Sequence, residues 1–193
     1  IAIAFSNAIL KGRSDLQKFL VLSDAGANGK GSFINLLNML IGVENTHSTT
    51  LDNLCENRFE AENIKGKRLV VFPDESPYSG NVGVFRNLTG QDLMRCEPKG
   101  KKISTFIYTG MVVMAANKPV FVGNSGYAID RRKIDFPCLV KVAQSDRRNL
   151  IPEFEAALPA FTAYLTSLPD EWVTATLNNA SNVEAVRTQS WEQ

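Results

Sequence analysis

One stretch of the sequence concentrates residue types that bind phosphate: Asp24-Ala25-Gly26-Ala27-Asn28-Gly29-Lys30-Gly31-Ser32. Glycines let a backbone wrap an anion closely. Main-chain N–H groups and a following helix N-terminus supply donors and a positive dipole end, and a lysine adds full charge. Gly26, Ala27, Asn28, Gly29, Lys30, Gly31 and Ser32 are therefore the candidate nucleotide-binding residues, with Lys30 reaching the β- and γ-phosphates of ATP. The stretch departs in two places from the pattern G-x-x-x-x-G-K followed by Ser or Thr. Asp24 stands where the first glycine is usual and Gly31 where the magnesium-binding hydroxyl is usual, with Ser32 one place later. Taken alone, it also fits a glycine-rich turn with an ordinary lysine. A second candidate group is Asp74-Glu75, which follows Lys67-Arg68 and the run Leu69-Val70-Val71-Phe72-Pro73. A buried strand would deliver both carboxylates to a sheet edge. Asp74, with Ser32 as a further candidate ligand, would hold Mg²⁺, and Glu75 would orient and deprotonate an attacking water. Acidic turns after ordinary strands are common, so this pair gains its meaning from lying downstream of a phosphate loop.

The surrounding elements suit that arrangement. Leu16 to Leu22 is an apolar run of strand length, and Phe33 to Ile41 has apolar residues at helical spacing and ends at Gly42. Strand, glycine turn and helix in that order open an α/β nucleotide-binding unit. Leu69 to Phe72, Met111 to Ala116 and Ile134 to Phe136 read as further buried strands, the second ending at Asn117. Phe5 to Lys11 reads as a short helix closed by Gly12, Leu51 to Ile64 as partly helical and Val84 to Leu88 as a helical stub. Residues 93 to 109 suggest a β-hairpin turning at Pro98-Lys99-Gly100. From Asn149 on, Phe154, Leu158, Phe161 and Leu165 recur at helical spacing despite Pro159, and the tail from Asn178 is polar.

The 193 residues, 44% hydrophobic and 21% charged, suit one domain with a sizeable core. No apolar run approaches the roughly 20 residues needed to cross a bilayer. A chain opening Ile1-Ala2-Ile3-Ala4 suggests a piece of a longer protein. Cys55, Cys96 and Cys138 lie far apart without a CxxC, which points neither to a metal site nor to a disulfide framework and fits a cytoplasmic location. His47 is the sole histidine, which excludes a catalytic triad or histidine zinc site and reads as a surface residue; Trp172 and Trp191 read as packing residues. A net charge of +1 means that any nucleic-acid site must be local.

Beyond Glu75 the chain runs Phe85-Arg86-Asn87-Leu88-Thr89-Gly90-Gln91-Asp92, then a basic hairpin, then Ala115-Ala116-Asn117-Lys118-Pro119, then Ile129-Asp130-Arg131-Arg132-Lys133-Ile134-Asp135-Phe136. This order resembles the superfamily 3 helicase domain of phage and plasmid primase-helicases, relatives of the poxvirus type. Leu150 to Pro159 is similar to that family's closing helix. The sequence departs from the family pattern at Asp24 and Gly31, at Arg86 or Asn87 where lysine is usual, and at Gln91 in place of a second glycine.

The resemblance implies an AAA+-like P-loop NTPase of α/β class, with a parallel central sheet flanked by helices, a β-hairpin insertion and a helical C-terminal part. Residues 1–170 would form the ATPase domain and residues 171–193 a helical or poorly packed tail. It further implies a homohexameric ring that binds ATP and Mg²⁺ between neighbours and works on single-stranded or forked DNA in viral or plasmid replication. A primase-polymerase domain in the same full-length chain, a bacterial host cell and 3′ to 5′ movement are expected with it. Asn117 would be the sensor of the γ-phosphate or attacking water, though its spacing equally fits a strand-end cap. Arg131 and Arg132 are the arginine-finger candidates, and nothing in the sequence separates the two.

The family's matching hairpin lines the ring's pore, which makes Lys99, Lys101 and Lys102 the candidate DNA-binding residues. Lysines bind phosphates without reading sequence, and six copies would form a positive funnel in a nearly neutral protein. Without the family, a solvated hairpin tip would be the ordinary reading. Phe106 and Tyr108, on the following strand, read as core. Two alternatives differ in kind. A P-loop nucleotide kinase would match Gly29-Lys30-Gly31-Ser32 but needs lid arginines and has no use for the basic hairpin. A non-hydrolysing, ATP-gated DNA clamp would match the missing hydroxyl at Gly31.

Overall fold

In the computed structural model, which describes residues 1–23, 28–100, 102–122 and 127–180, the buried apolar runs become adjacent parallel strands. Helix α1 (Ala2–Lys11) ends at Gly12, whose φ of 71° is the left-handed cap that glycine adopts without strain. Strand β1 (Phe19–Ser23) follows, then α2 (Lys30–Ile41), β2 (Thr46–Ser48), α3 (Leu51–Glu56), α4 (Glu60–Ile64) and β3 (Leu69–Glu75). The second half runs α5 (Gly83–Gly90), β4 (Leu93–Cys96), β5 (Ser104–Ile107), β6 (Met111–Ala116), α6 (Tyr127–Asp130), β7 (Lys133–Pro137), α7 (Ile151–Ser167) and α8 (Asp170–Asn179).

Among the described residues, five strands form one parallel sheet in the order β2-β3-β6-β1-β7, and β4 and β5 form a separate antiparallel hairpin. Parallel strands are covered on both faces, which is why β1, β3 and β6 read as near-continuous apolar runs. Alternate residues feed two cores. Phe19, Val21, Val70, Phe72, Val112 and Met114 meet the face carrying Leu51, Ile64, Phe85 and Leu88. Leu20, Leu22, Leu69, Val71 and Val113 meet the face carrying Phe5, Ile9, Ile34, Leu37, Val173 and Leu177. Phe85 fixes α5 to the sheet, edge-on to Phe19 at 5.0 Å and to Phe72 at 5.9 Å. Edge-on pairs of this kind contribute about 0.5–1.5 kcal/mol each beyond area burial. The fold is α/β, with a parallel central sheet flanked by helices, a hairpin insertion and a helical C-terminal part, as the sequence predicts.

Several local readings need correction. The strand predicted from Leu16 begins at Phe19, because Ser14–Leu16 forms a 3-10 turn and Gln17 takes a left-handed φ of 51°. The edge strand β2 escapes prediction because Thr-His-Ser has no apolar pattern. His47 lies on it, half-buried, with Nε2 2.7 Å from Oε1 of the buried Glu60, and is not a simple surface residue. Trp172 is 44% exposed and lies at the surface, outside the two buried cores. The helical reading beyond Asn149 needs no correction: α7 continues through the solvent-facing Pro159, and α8 buries Val173 and Leu177 in the core that α1 shares. Trp191 lies outside the described residues. No disulfide links the cysteines, and among the described residues no helix is long and apolar enough to cross a membrane.

Candidate functional site

The carboxyl ends of neighbouring strands are where ligands bind in parallel α/β sheets. Here β1, β6 and β3 lie side by side, with Ser23 opposite Ala116 and Ala116 opposite Glu75. Residues beside or beyond these positions converge. Lys30, the first residue of α2, donates from Nζ to Asn117 Oδ1 at 2.8 Å. Asn117 in turn lies 3.4 Å through Nδ2 from Asp74 Oδ1. The three candidates that the sequence places 87 and 43 residues apart thus form one chain of polar contacts.

Asp74 and Glu75 part company at the end of β3. One extra residue between Phe72 and Glu75 makes a bulge, and Pro73, which has no N–H to give to a ladder, sits in it. Asp74 is left exposed beside Asn117, while Glu75 is buried. Glu75 Oε1 accepts the Leu51 N–H at 3.1 Å, at the start of α3. Burial pushes the Glu75 carboxyl above the usual carboxylate range; the Leu51 N–H opposes this, and the charges of Asp52 and Asp74 add to it. A carboxylate raised this way is a better proton acceptor for water near neutral pH than an exposed one. Leu51 carries no sequence signal for this role, because only its backbone is used.

Of the loop residues, Gly26 and Ala27 lie outside the described residues. Gly29 takes a φ of 85°, and a Cβ there or at Gly31 would meet nothing within 4 Å, so both glycines border open space. That space, the N-terminus of α2 and the Lys30 ammonium fit a polyphosphate. Asn28 points elsewhere: Nδ2 donates to the Cys138 carbonyl at 2.6 Å, while the Cys138 N–H donates to Ser23 at 2.9 Å. Its side chain ties the loop to the end of β7, which leaves its backbone for any phosphate contact. Ser32 stands half-buried in the first turn of α2. Among the described residues no group of three or more His, Cys, Asp or Glu could hold a metal alone. The two Mg²⁺ candidates stand on different elements, Asp74 exposed at the end of β3 and Ser32 in the first turn of α2, and Mg²⁺ commonly takes most of its ligands from phosphates and water.

The paired arginines also separate. Arg131 is exposed, and its carbonyl accepts the Lys18 ammonium at 2.7 Å. Arg132 is only 7% exposed; its Nη1 donates to the Arg86 carbonyl at 2.9 Å, and Nε has no partner. Its guanidinium lies so close to Gly90 that a Cβ there would come within 2.7 Å. Burial, then the charge of Arg131, depresses the Arg132 pKa. Arg132 is a structural clamp between the start of β7 and the end of α5, leaving Arg131 as the arginine presented to solvent. Both precede β7, whose Lys133 pairs with Phe19 at the amino end of β1. They therefore lie at the opposite end of the sheet from Lys30, Asn117 and Asp74. Strands rise about 3.3 Å per residue, so the five paired residues of β1 separate the two ends by roughly 13 Å.

The hairpin pairs Leu93 with Ile107 and Cys96 with Ser104. Met94 and Cys96 bury its inner side, with Cys96 Sγ 2.7 Å from Glu62 Oε2 on α4. Lys99 and Lys102 are exposed around Gly100, whose φ is 73°, whereas Lys101 lies outside the described residues. Tyr108 is buried and donates to the Met111 carbonyl, and Phe106 packs against the core, as the sequence predicts.

The family described as "Family of unknown function (DUF5906)" has a model that matches residues 21–132, more than half of the chain. The chain belongs to this family. The matched stretch holds every described candidate residue, from Asn28 to Arg132. Two apo structures of the NrS-1 C-terminal region share the fold. One has a TM-score of 0.72 at 16% identity, over 96% of this chain and 44% of that one; the other has a TM-score of 0.70 at 16% identity, over 97% and 46%. A structure of JCV helicase bound to a small molecule aligns with a TM-score of 0.50 at 15% identity, over 94% of this chain and 58% of that one. The chain spans less than half the length of the NrS-1 region it matches.

Proposed function

We propose that this chain is the ATP-hydrolysing motor of a superfamily 3 ring helicase that pulls single-stranded DNA through its centre. The observation that carries this reading is the convergence of Lys30, Asn117 and Asp74, with Glu75 buried behind them. Lys30 and the α2 N-terminus bind the phosphates; Asn117 positions the γ-phosphate or the attacking water; Glu75 takes the water's proton. Asp74 and Ser32 would hold Mg²⁺, which would supply charge neutralisation on the phosphates. Arg131 serves the ATP of the next subunit, because the sheet separates it from its own loop. Lys99, Lys101 and Lys102 grip the DNA backbone from the hairpin tip. The structural likeness to the NrS-1 C-terminal region and to JCV helicase supports a shared fold, and the residues above support the chemistry.

The test is phosphate release by the purified chain, with and without single-stranded DNA, alongside Lys30→Ala. The expected outcome is hydrolysis stimulated by DNA and lost with Lys30. Release that requires an acceptor nucleotide would favour a kinase. DNA binding gated by ATP without turnover would favour a clamp, the reading suggested by the missing hydroxyl at Gly31. Electron micrographs of particles formed with an ATP analogue and DNA should show six-fold rings.

A further inference from the structure

The hairpin springs from the end of α5, and only Gln91 and Asp92 separate the two. Among the described residues just two that are not glycine take a left-handed backbone, Gln17 at a φ of 51° and Gln91 at a φ of 57°. That conformation is costly for a residue with a Cβ, and Gln91 stands where the pattern it resembles has a second glycine, which adopts it freely. The two side chains reach across to each other's turn. Gln17 Nε2 donates to the Gly90 carbonyl at 2.8 Å, one of the carbonyls that the end of α5 leaves without a helical partner. Gln91 Nε2 donates to Oγ of the buried Ser14 at 2.7 Å. The arginine pair is tied to the same point. Lys18 donates to the Arg131 carbonyl at 2.7 Å, and the Phe19 N–H donates to the Arg132 carbonyl at 3.0 Å. Arg132 Nη1 closes on the Arg86 carbonyl at 2.9 Å, and a Cβ on Gly90 would come within 2.8 Å of both the Arg132 guanidinium and Asp92 Oδ2. Three consecutive residues, Gln17, Lys18 and Phe19, therefore hold the hairpin's root and the arginine turn together.

We propose that Gln17 and Gln91 are positioning residues that make the hairpin's root and the arginine turn one unit, so that DNA held by a subunit's hairpin acts on the neighbour's ATP that Arg131 serves. The proposal rests on the ring reading above. Strained backbone persists where its surroundings over-determine it, and such strain collects at sites that must hold a geometry. Glycine at position 91 would give the same turn without strain, but also without the link to Ser14. The hairpin has a second attachment, from Cys96 Sγ to Glu62 Oε2 on α4 at 2.7 Å. Helix α4 follows α3, whose first N–H, at Leu51, holds Glu75. Coupling by that route would act on the subunit's own ATP. The root is favoured because it is the covalent joint of the hairpin, and because two turns there bear strain for a mutual bond.

Gln91→Gly tests the clasp, because glycine keeps the left-handed turn and removes the bond. The purified chain is measured for melting, for affinity to oligodeoxythymidine, and for ATP hydrolysis with and without that oligonucleotide. Loss of strain and loss of the bond offset each other, so the variant should melt close to wild type and bind the oligonucleotide as wild type does. Couplings between sites are commonly worth about 5–150-fold, and the variant should lose most of the stimulation that the oligonucleotide gives wild type. Gln17→Gly should do the same, and the double variant should be no worse than either, since each breaks one clasp. Full stimulation in the folded variants overturns the clasp and leaves the ATPase reading standing. A wild type whose hydrolysis does not respond to the oligonucleotide overturns both. Mixing decides the direction, and decides alone if neither glycine variant folds. Subunits with Lys99, Lys101 and Lys102 changed to alanine keep their phosphate loop, and Lys30→Ala subunits keep hairpin, clasp and Arg131. In mixed rings the stimulation should return, because hairpin and arginine of one subunit act on the loop of the other. Mixed rings that form but stay unresponsive overturn action on the neighbour and assign the coupling to the α4 route.

Discussion

Replacing Arg131 and Arg132 by alanine one at a time should produce two different failures, although the residues are adjacent. Arg132 is buried, donates to the Arg86 carbonyl at 2.9 Å and lies against Gly90. Its loss removes a hydrogen bond from a charged group, about 1.5–3 kcal/mol, and leaves space where the side chain packed. The unpartnered Nε offsets part of that, because burying it already costs the native fold. A net loss of about 2 kcal/mol is reasonable, and in a domain of this size 1 kcal/mol lowers the melting temperature by roughly 2–4 °C. Arg132→Ala should therefore melt about 4–8 °C below wild type. Arg131 is exposed, and its alanine variant should melt with wild type. Its defect should appear in turnover instead: a finger that stabilises charge at the transition state contributes on the order of 10³- to 10⁵-fold, with little change in nucleotide affinity. Thermal melting and steady-state ATP hydrolysis on the same preparations separate the two effects. Mixing adds the decisive arm. Arg131→Ala rings keep their loops and Lys30→Ala rings keep their fingers, so mixed rings should regain part of the activity that each lacks alone. Mixed rings as inactive as their components, or an Arg131→Ala variant with normal turnover, would refute the assignment.

Glu75→Gln should bind ATP yet hydrolyse it at least about 10²-fold more slowly, the usual contribution of a general base; normal turnover in a single-turnover assay removes Glu75 from the reaction. The same variant tests burial. A carboxyl whose folded pKa lies above its unfolded value stabilises the fold only below the unfolded value, and that contribution is lost as pH rises through the folded one. Glu75→Gln should thus melt higher than wild type at neutral pH, with the gain vanishing near pH 4; a pH-independent difference would contradict the raised pKa. Changing Lys99, Lys101 and Lys102 together to alanine should weaken single-stranded DNA binding about equally for all sequences. It should also flatten the salt dependence by about 0.7 per lost phosphate contact, read from affinities over a salt series. Gly31→Ser has room for its side chain and restores a hydroxyl beside Lys30. The Mg²⁺ concentration giving half-maximal hydrolysis should fall, and an unchanged Mg²⁺ titration would show that position 31 does not face the cation.

The sequence makes the sheet legible because strands buried on both faces must be apolar at every position, and Met111–Ala116 meets that condition over all six residues. β2 does not, since a three-residue edge strand of Thr, His and Ser gains its place from pairing with β3 and not from its own side chains. The candidate site is legible as residue types and order, whereas its geometry depends on two things no local pattern carries. One is the bulge at Pro73, which turns neighbouring carboxylates into an exposed Asp74 and a buried Glu75. The other is long-range packing: Arg132 is distinguished from Arg131 only by the end of α5 that covers it. Register then adds what composition cannot. Because β7 runs parallel to β1 from Lys133 opposite Phe19, the arginine preceding it and the lysine following β1 lie at opposite ends of one rigid sheet. No hinge within a packed parallel sheet closes roughly 13 Å. If hydrolysis here uses an arginine from this pair, a single subunit is half an active site, and turnover should depend on assembly even when nucleotide binding does not.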